Sequence, residues 1–209
     1  MQVGILGGGK MATGLGRYFV KAGHKLLISH SRDRAKLEKA AKDLGGGTQA
    51  GSAEEAAAFG QVVILATTWD GAAGALKAAG SLDGKVLWSI VNPLKTDLSG
   101  LMVGTTTSGS EELAKLAPHA LFVAAWPPFA EVLASGSTRF GSERQTLFYC
   151  GDDAGAKRAV APLLESLDVD PVDAGPLRAA RYLEPSMMLL VHLAYAQKLG
   201  ATATRLLRR

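Results

Sequence analysis

Residues 2–16 read Gln-Val-Gly-Ile-Leu-Gly-Gly-Gly-Lys-Met-Ala-Thr-Gly-Leu-Gly, a short apolar strand that runs into glycines and then into a helix. Gly7 permits the tight strand-to-helix turn, and Gly9 lets the backbone approach a pyrophosphate with no Cβ in the way. Ala12 stands where helix and strand pack too closely for a larger side chain. This is the G-x-G-x-x-A form of the dinucleotide fingerprint. The site it predicts is mostly backbone, spread over Gly7, Gly8, Gly9, Lys10, Met11 and Ala12, with the amide end of the helix facing the phosphates. Met11, Leu15, Phe19 and Ala22 recur at roughly helical spacing, so one stripe is expected to lie on a sheet. Glycines also mark ordinary turns. The pattern gains meaning from its setting between an apolar strand and a periodic helix, with a second strand to follow.

That second strand is expected over Lys25–Ser29, and its end is the next informative place. A site built for NAD usually offers an Asp or Glu there to the ribose hydroxyls. This chain has Ile28-Ser29-His30-Ser31-Arg32-Asp33-Arg34. Ser31 and Arg32 supply a small donor and a planar cationic fork, which suit a 2′-phosphate and favour NADP over NAD. The alternative is that Ser31 or Asp33 caps the next helix and Arg32 is solvated.

Composition sets outer limits. The 209 residues, 47% hydrophobic and 20% charged, suit one domain or one with a small appendage. The net charge is +4, and the cationic residues are scattered except for Arg205, Arg208 and Arg209, read as a solvated helix end and not as a nucleic-acid patch. A single cysteine, Cys150, rules out an intrachain disulfide and four-cysteine zinc patterns. No apolar run reaches the roughly 18 to 20 residues of a membrane span. The chain opens directly on a strand, so a cytoplasmic protein without a signal peptide or membrane association is expected.

Further along, residues 34–44 read as a polar helix ended by Gly45-Gly46-Gly47, and Thr48–Gly51 as a short strand. Ser52 and Glu55 form a capping box. The unbroken apolar run Val62–Ala66 fits a strand buried on both faces of a parallel sheet. Thr67, Thr68 and Trp69 then fall at its carboxyl end, where ligands bind in such sheets, with Asp70 expected to cap the following helix. Another strand spans Lys85–Val91. The connection from Asn92 through Pro93, Leu94, Lys95, Thr96 and beyond is long enough to wall an active site. Ser108 and Glu111 open a helix that ends near Pro118. Leu121–Ala125 is a strand entering Trp126-Pro127-Pro128-Phe129, a loop with two flat rings for stacking or packing.

After a stretch expected to be mobile, Ser135–Gln145, the pattern gives a strand at Thr146–Cys150, a helix at 154–167 and a last strand at Val169–Val172. Cys150 reads as a small buried hydrophobe. Leu177–Leu199 reads as a helix interrupted at Pro185 and apolar nearly all round from Ser186 to Ala196. Such a helix must be buried, and a second subunit is one way to bury it. His192 within it is expected to be a core or interface residue.

These pieces together resemble the coenzyme F420-dependent NADP oxidoreductase family. The likeness rests on Ile5-Leu6-Gly7-Gly8, Ser31-Arg32, Asn92-Pro93-Leu94, and a tail with Cys150-Gly151-Asp152-Asp153, Asp173-Ala174-Gly175-Pro176-Leu177, Arg181 and Glu184. The resemblance implies a Rossmann α/β domain, doubly wound on a mostly parallel sheet, over residues 1–175, followed by a small helical dimerisation segment over 176–209. It also implies a homodimer, and hydride exchange between NADP(H) and the deazaflavin coenzyme F420. The loop at Trp126 departs from relatives with a less aromatic stretch there. Cofactor contacts are expected from Gly7 to Ala12, Ser31, Arg32, Thr67 and Thr68. Trp69, Pro93, Leu94, Trp126 and Pro127 are expected to wall a cleft for a small-molecule ring acceptor.

Direct hydride transfer needs two rings in contact and no positioned acid or base, and no His-Asp pair or isolated catalytic lysine is legible. A hydroxyacid dehydrogenase or pyrroline-carboxylate reductase would append a large helical domain, for which the residues after the last strand are too few. The remaining alternatives are an NADPH-dependent reductase of a flavin, quinone, imine or ferric chelate, and a non-catalytic NADP sensor.

Overall fold

In the computed structural model, residues 1–29 and 33–209 are described. One eight-stranded sheet runs through the molecule in the order β3-β2-β1-β4-β5-β6-β7-β8. Its strands are β1 (Gln2–Leu6), β2 (Lys25–Ser29), β3 (Gln49–Ala50), β4 (Val62–Leu65), β5 (Val86–Ser89), β6 (Leu121–Ala125), β7 (Thr146–Gly151) and β8 (Asp170–Asp173). The first six pair in parallel; β7 runs antiparallel to β6, and β8 parallel to β7. This is the doubly wound α/β Rossmann arrangement, whose order reverses between β1 and β4 and opens a crevice at the carboxyl ends of those strands.

The helices are α1 (Lys10–Lys21), α2 (Arg34–Leu44), α3 (Ala53–Phe59), α4 (Trp69–Ala79), α5 (Gly109–Leu116), α6 (Ala130–Ala134), α7 (Ala154–Glu165) and α8 (Ala180–Val191). A 3-10 turn precedes α8, and one π turn, His192–Ala196, follows it. Buried side chains of α1, α2 and α7, including Leu15, Phe19, Leu37, Leu44, Val160 and Leu163, form a core with one face of the sheet. Residues of α3, α4, α5 and the start of α8 form a second core on the other face. Central strands buried on both faces explain why Val62–Leu65 is apolar without alternation.

The stripe of α1 is displaced from the expected one. Ala12, Gly14, Leu15, Gly16 and Phe19 are buried, whereas Ala22 lies past the helix end and is exposed. Small residues are required there, since a Cβ on Gly14 would stand 2.9 Å from the Leu133 Cβ of α6. The helix after β4 starts two residues earlier than expected. Thr68 takes the cap position, and Asp70 falls in the first turn, where its charge favours the positive end of the helix dipole.

The segment 135–145, expected to be mobile, is tied to the body. Thr138 is buried and donates to the Leu167 carbonyl at 2.6 Å, and Arg139 pairs with Asp168 at 2.6 Å. The C-terminal helix is shorter than expected and not buried all round. It ends at Ala196, and Tyr182, Leu189, Tyr195 and Leu199 are exposed. His192 is also exposed, beside Gln197, and so is not a core residue. The last residues are irregular, not a helix end. They run beside the start of β7, where Thr204 accepts from the Thr146 amide at 2.8 Å, and Arg205 pairs with Glu143. No helix among the described residues is long and apolar enough to cross a membrane.

Candidate functional site

The glycine turn places two glycines under opposite demands. A Cβ on Gly7 would collide with the carbonyl oxygen of Ala66 at the end of β4, so the turn is closed from within the fold. A Cβ on Gly9 would meet nothing within 4 Å, so that residue faces open space at the start of α1. Of the helices with a side-chain cap, α2, α3, α5 and α7 receive it from Asp33, Ser52, Ser108 and Asp153. Helix α1 has none, nor any acidic residue in its first turn. Its N-terminal amides are left for an outside acceptor, and with the helix dipole they fit an anionic pyrophosphate. Helix α4, which begins at Trp69 on the other side of the crevice, also lacks a side-chain cap bond.

Ser29 closes β2 without reaching the crevice, because its buried hydroxyl donates to the Ile5 carbonyl at 3.0 Å. The expected 2′-phosphate ligands Ser31 and Arg32 lie outside the described residues. Asp33, the alternative cap, does cap α2 by accepting from the Lys36 amide at 3.1 Å.

Beyond the glycine turn, at the carboxyl ends of β4, β5 and β6, lies a cavity of about 540 Å³. Met11, Thr67, Thr68, Trp69, Leu94, Trp126 and Pro127 of the expected set line it together. Gly7, Gly8, Gly9, Lys10 and Ala12 belong to the adjoining turn and the start of α1, not to the cavity wall. Pro93 does not line it either, which corrects the expected wall. The ring of Pro93 is buried and directed at α5, where a Cβ on Gly109 would stand 2.8 Å from its Cγ. Turned in this way, Pro93 sets the path of the following loop. That loop is closed by the Lys95 amide on Gly100 at 2.9 Å and the Met102 amide on Pro93 at 2.6 Å. Lys95, Thr96 and Leu98 are thereby carried over the cavity.

Trp126 forms a fixed wall. It is 7% exposed, and its indole N–H donates to the Val91 carbonyl at 3.2 Å, locking the ring between β5 and β6. Phe129 follows, its ring centroid 5.9 Å from that of Tyr195. Sequence reasoning missed the wall opposite, formed by Met187, Val191 and Tyr195 of the C-terminal helix. Its apolar run calls for burial, but nothing in the sequence says that part of it faces this cavity. The Tyr195 hydroxyl donates to Glu131 at 2.9 Å, and burial together with that carboxylate pushes its pKa up to about 12. It therefore stays protonated at neutral pH. Among the described residues lining the cavity, Lys95 is the only cation and Asp70 the only acid.

The tail residues Arg181 and Glu184 stand away from the cavity and hold its far wall. Glu184 is 1% exposed and accepts from the Gly109 and Ser110 amides, each at 2.8 Å, while Arg181 forms a two-pronged pair with Glu111 at 2.7 and 2.8 Å. Cys150 is buried, its thiol pushed up to about 12 by burial, and is chemically quiet.

The chain is 28% identical over 183 residues to metalloreductase STEAP3 of Rattus norvegicus, an alignment covering 88% of this chain and 36% of that protein. It thus spans about a third of that curated relative. A solved candidate F420-dependent NADP reductase of Arthrobacter sp. FB24 superposes with a TM-score of 0.87 at 26% identity, covering 100% of both chains. A reductive aminase of Aspergillus terreus, solved with NADPH and ethyl-5-oxohexanoate, shares the fold at a TM-score of 0.70 and 19% identity, over 95% of this chain and 63% of that one. Residues 2–93, which carry the glycine turn, the second strand and the Thr67-Thr68-Trp69 corner, match the family described as NADP oxidoreductase, coenzyme F420-dependent.

Proposed function

We propose that this protein is an NADPH-dependent oxidoreductase that exchanges a hydride with a flat ring acceptor, the deazaflavin coenzyme F420 of the family description being the leading one. The observation that carries this reading is the junction of an uncapped α1 amide end with a 540 Å³ cavity walled by Trp69, Trp126, Pro127 and Phe129. In this reading Gly7 to Ala12 hold the pyrophosphate, Ser31 and Arg32 the 2′-phosphate, and Thr67 and Thr68 border the nicotinamide end. Bound NADPH supplies the hydride, and a proton from solvent completes the two-electron reduction of the acceptor.

What the chain contributes is position. Reacting carbons must lie roughly 3 to 3.5 Å apart. A tryptophan fixed by its own hydrogen bond and a loop stiffened by Pro127 and Pro128 keep the acceptor face in one place. A small hydroxy acid would need a cationic clamp for its carboxylate, and Lys95 on an exposed loop is the one lining cation among the described residues. The same reading assigns residues 1–175 to cofactor and acceptor binding and 176–209 to pairing of two subunits in the cytoplasm. The exposed Tyr182, Leu189 and Leu199 support that pairing.

A second reading keeps the NADPH site and changes the acceptor to a flavin, quinone, imine or ferric chelate. The names of the metalloreductase and reductive aminase relatives favour holding it open. Stopped-flow mixing of the NADPH complex with oxidised coenzyme F420, with flavin and quinone in parallel, tests both. Loss of the deazaflavin absorbance in step with NADPH oxidation is expected. Reduction of another acceptor alone would select the second reading. Tight NADPH binding with no turnover across the panel would make the protein a sensor.

A further inference from the structure

Behind the wall formed by Trp126, Pro127, Pro128 and Phe129 lies a second compartment of about 250 Å³, between the start of β7 and α8. Met187 and those four residues border both spaces. Its remaining apolar lining comes from Phe148, Leu183 and Leu190, and no charged side chain lines it among the described residues.

Four of the polar side chains there, those of Gln145, Thr146, Ser186 and Thr202, are hydrogen-bonded within the protein, and Thr204 also lines the space. The Thr202 hydroxyl donates to the Leu190 carbonyl at 3.2 Å, and that of Ser186 to the Tyr182 carbonyl at 2.8 Å. The Thr146 hydroxyl accepts from the Leu206 amide at 3.0 Å, and the Gln145 amide donates to the Thr138 carbonyl at 2.9 Å. What the compartment offers a ligand is therefore mostly hydrocarbon and ring surface. An enclosed apolar cavity of about 150 Å³ is enough to bind benzene, so the volume suffices for a short hydrocarbon group.

Resting on the second reading, in which the ring acceptor in the larger cavity is not the deazaflavin but a quinone or imine, we infer that the smaller compartment is a subsite for an uncharged, apolar substituent of that acceptor. In this proposal the substituent enters past Met187, whose unbranched side chain with several rotatable bonds can yield where Trp126 and the two prolines are held. The acceptor is recognised through its ring and a hydrocarbon arm, and any charged tail it carries is left to solvent.

The test is calorimetric titration of 1,4-naphthoquinones bearing methyl, ethyl, propyl or butyl at position 2 into the NADP⁺ complex. Reduction of each by NADPH is followed separately. Affinity is expected to rise about three- to fourfold per added methylene, the value for full removal of a CH₂ from water. Ser186→Leu and, independently, Leu190→Phe fill the compartment and should flatten that rise, with NADP⁺ affinity unchanged within about twofold. A flat series in the wild-type protein, or the same rise in both filled variants, overturns the inference. So does a flat series together with dissociation of an oligomer by Ser186→Leu, which would place a second copy in the compartment. Graded binding without reduction of any quinone keeps the subsite and removes the quinone arm of the redox reading. Reduction with a flat series does the reverse.

Discussion

Oε1 of Glu184 accepts both the backbone amide and the hydroxyl of Ser110, each at 2.8 Å, across 74 residues of sequence. With Oε2 on the Gly109 amide, this one carboxylate serves as a cap for α5 supplied from α8. Glu184→Ala would leave those amides buried and unsatisfied. It should cost about 2 to 4 kcal/mol in urea unfolding, and Glu184→Gln, which keeps one acceptor oxygen, about half as much. Equal stability of the alanine variant and the wild type would refute the cap.

The neighbouring pair gives a pH dependence with a defined sign. The Arg181 guanidinium, foremost among the causes, holds the Glu111 carboxyl below its ordinary 4.5. A lowered folded-state value means that the pair's stabilisation is complete above about pH 4.5, the unfolded value, and is lost as pH falls through the depressed one. Burial acts on Glu184 in the opposite sense, raising its pKa, so charging it disfavours the fold. Urea midpoints measured from pH 7 down to 3 should therefore fall more steeply for the wild type than for Arg181→Ala. Parallel curves would contradict this assignment.

Gly7 and Gly9 should separate folding from cofactor binding. Gly7→Ala drives a methyl into the Ala66 carbonyl and is expected to lose about 2 to 4 kcal/mol, as overpacking against backbone does. Gly9→Ala meets no protein atom and should unfold within about 0.5 kcal/mol of the wild type. Its NADPH affinity should nevertheless drop at least tenfold in fluorescence titration. Undiminished binding would move the pyrophosphate away from this turn.

Cys150 should behave as an inert hydrophobe. With its thiol pushed up to about 12 and no exposure, iodoacetamide at pH 8 should modify it only as fast as the protein opens. Mass spectrometry across a urea series is expected to show labelling that follows unfolding. Rapid labelling of the native protein would reveal an accessible thiolate.

Arg32→Ala should weaken NADPH binding by about 1.5 to 3 kcal/mol, the worth of hydrogen bonds to a charged group, and leave NADH nearly unaffected. Calorimetry with both cofactors measures this directly. Equal loss for the two would remove Arg32 from the 2′-phosphate site.

The sheet was legible because its signals are local. Val62–Leu65 and Leu121–Ala125 are apolar runs of strand length, and Ser52 with Glu55 closes a capping box within four residues. Helix α6 was hidden by its brevity, five residues directly after Phe129. Thr68 and Asp70 compete for one cap, and sequence order alone does not decide between them. The cavity's far wall was out of reach for a different reason. Met187 and Tyr195 meet Trp69 and Trp126 only because α8 folds back over the crevice, and no periodicity within α8 encodes its partner. Arg181 and Glu184 stood out by family likeness, while their task as a cap and a clamp on α5 exists only in three dimensions.

The antiparallel pairing of β7 with β6 has a consequence for how such a protein can diversify. Reversing direction at that strand brings Thr146 to the end of the sheet where Ala125 leaves it. The returning chain, through α8, then closes the crevice at the carboxyl ends of β4, β5 and β6. In the proposed reading the nucleotide contacts all fall before residue 93, whereas the acceptor cavity draws on both sides of residue 126, with Trp69 and Leu94 before it and Pro127, Met187 and Tyr195 after it. Exchange of the stretch 126–209 between relatives is a route to a new acceptor that leaves the inherited nucleotide site in place.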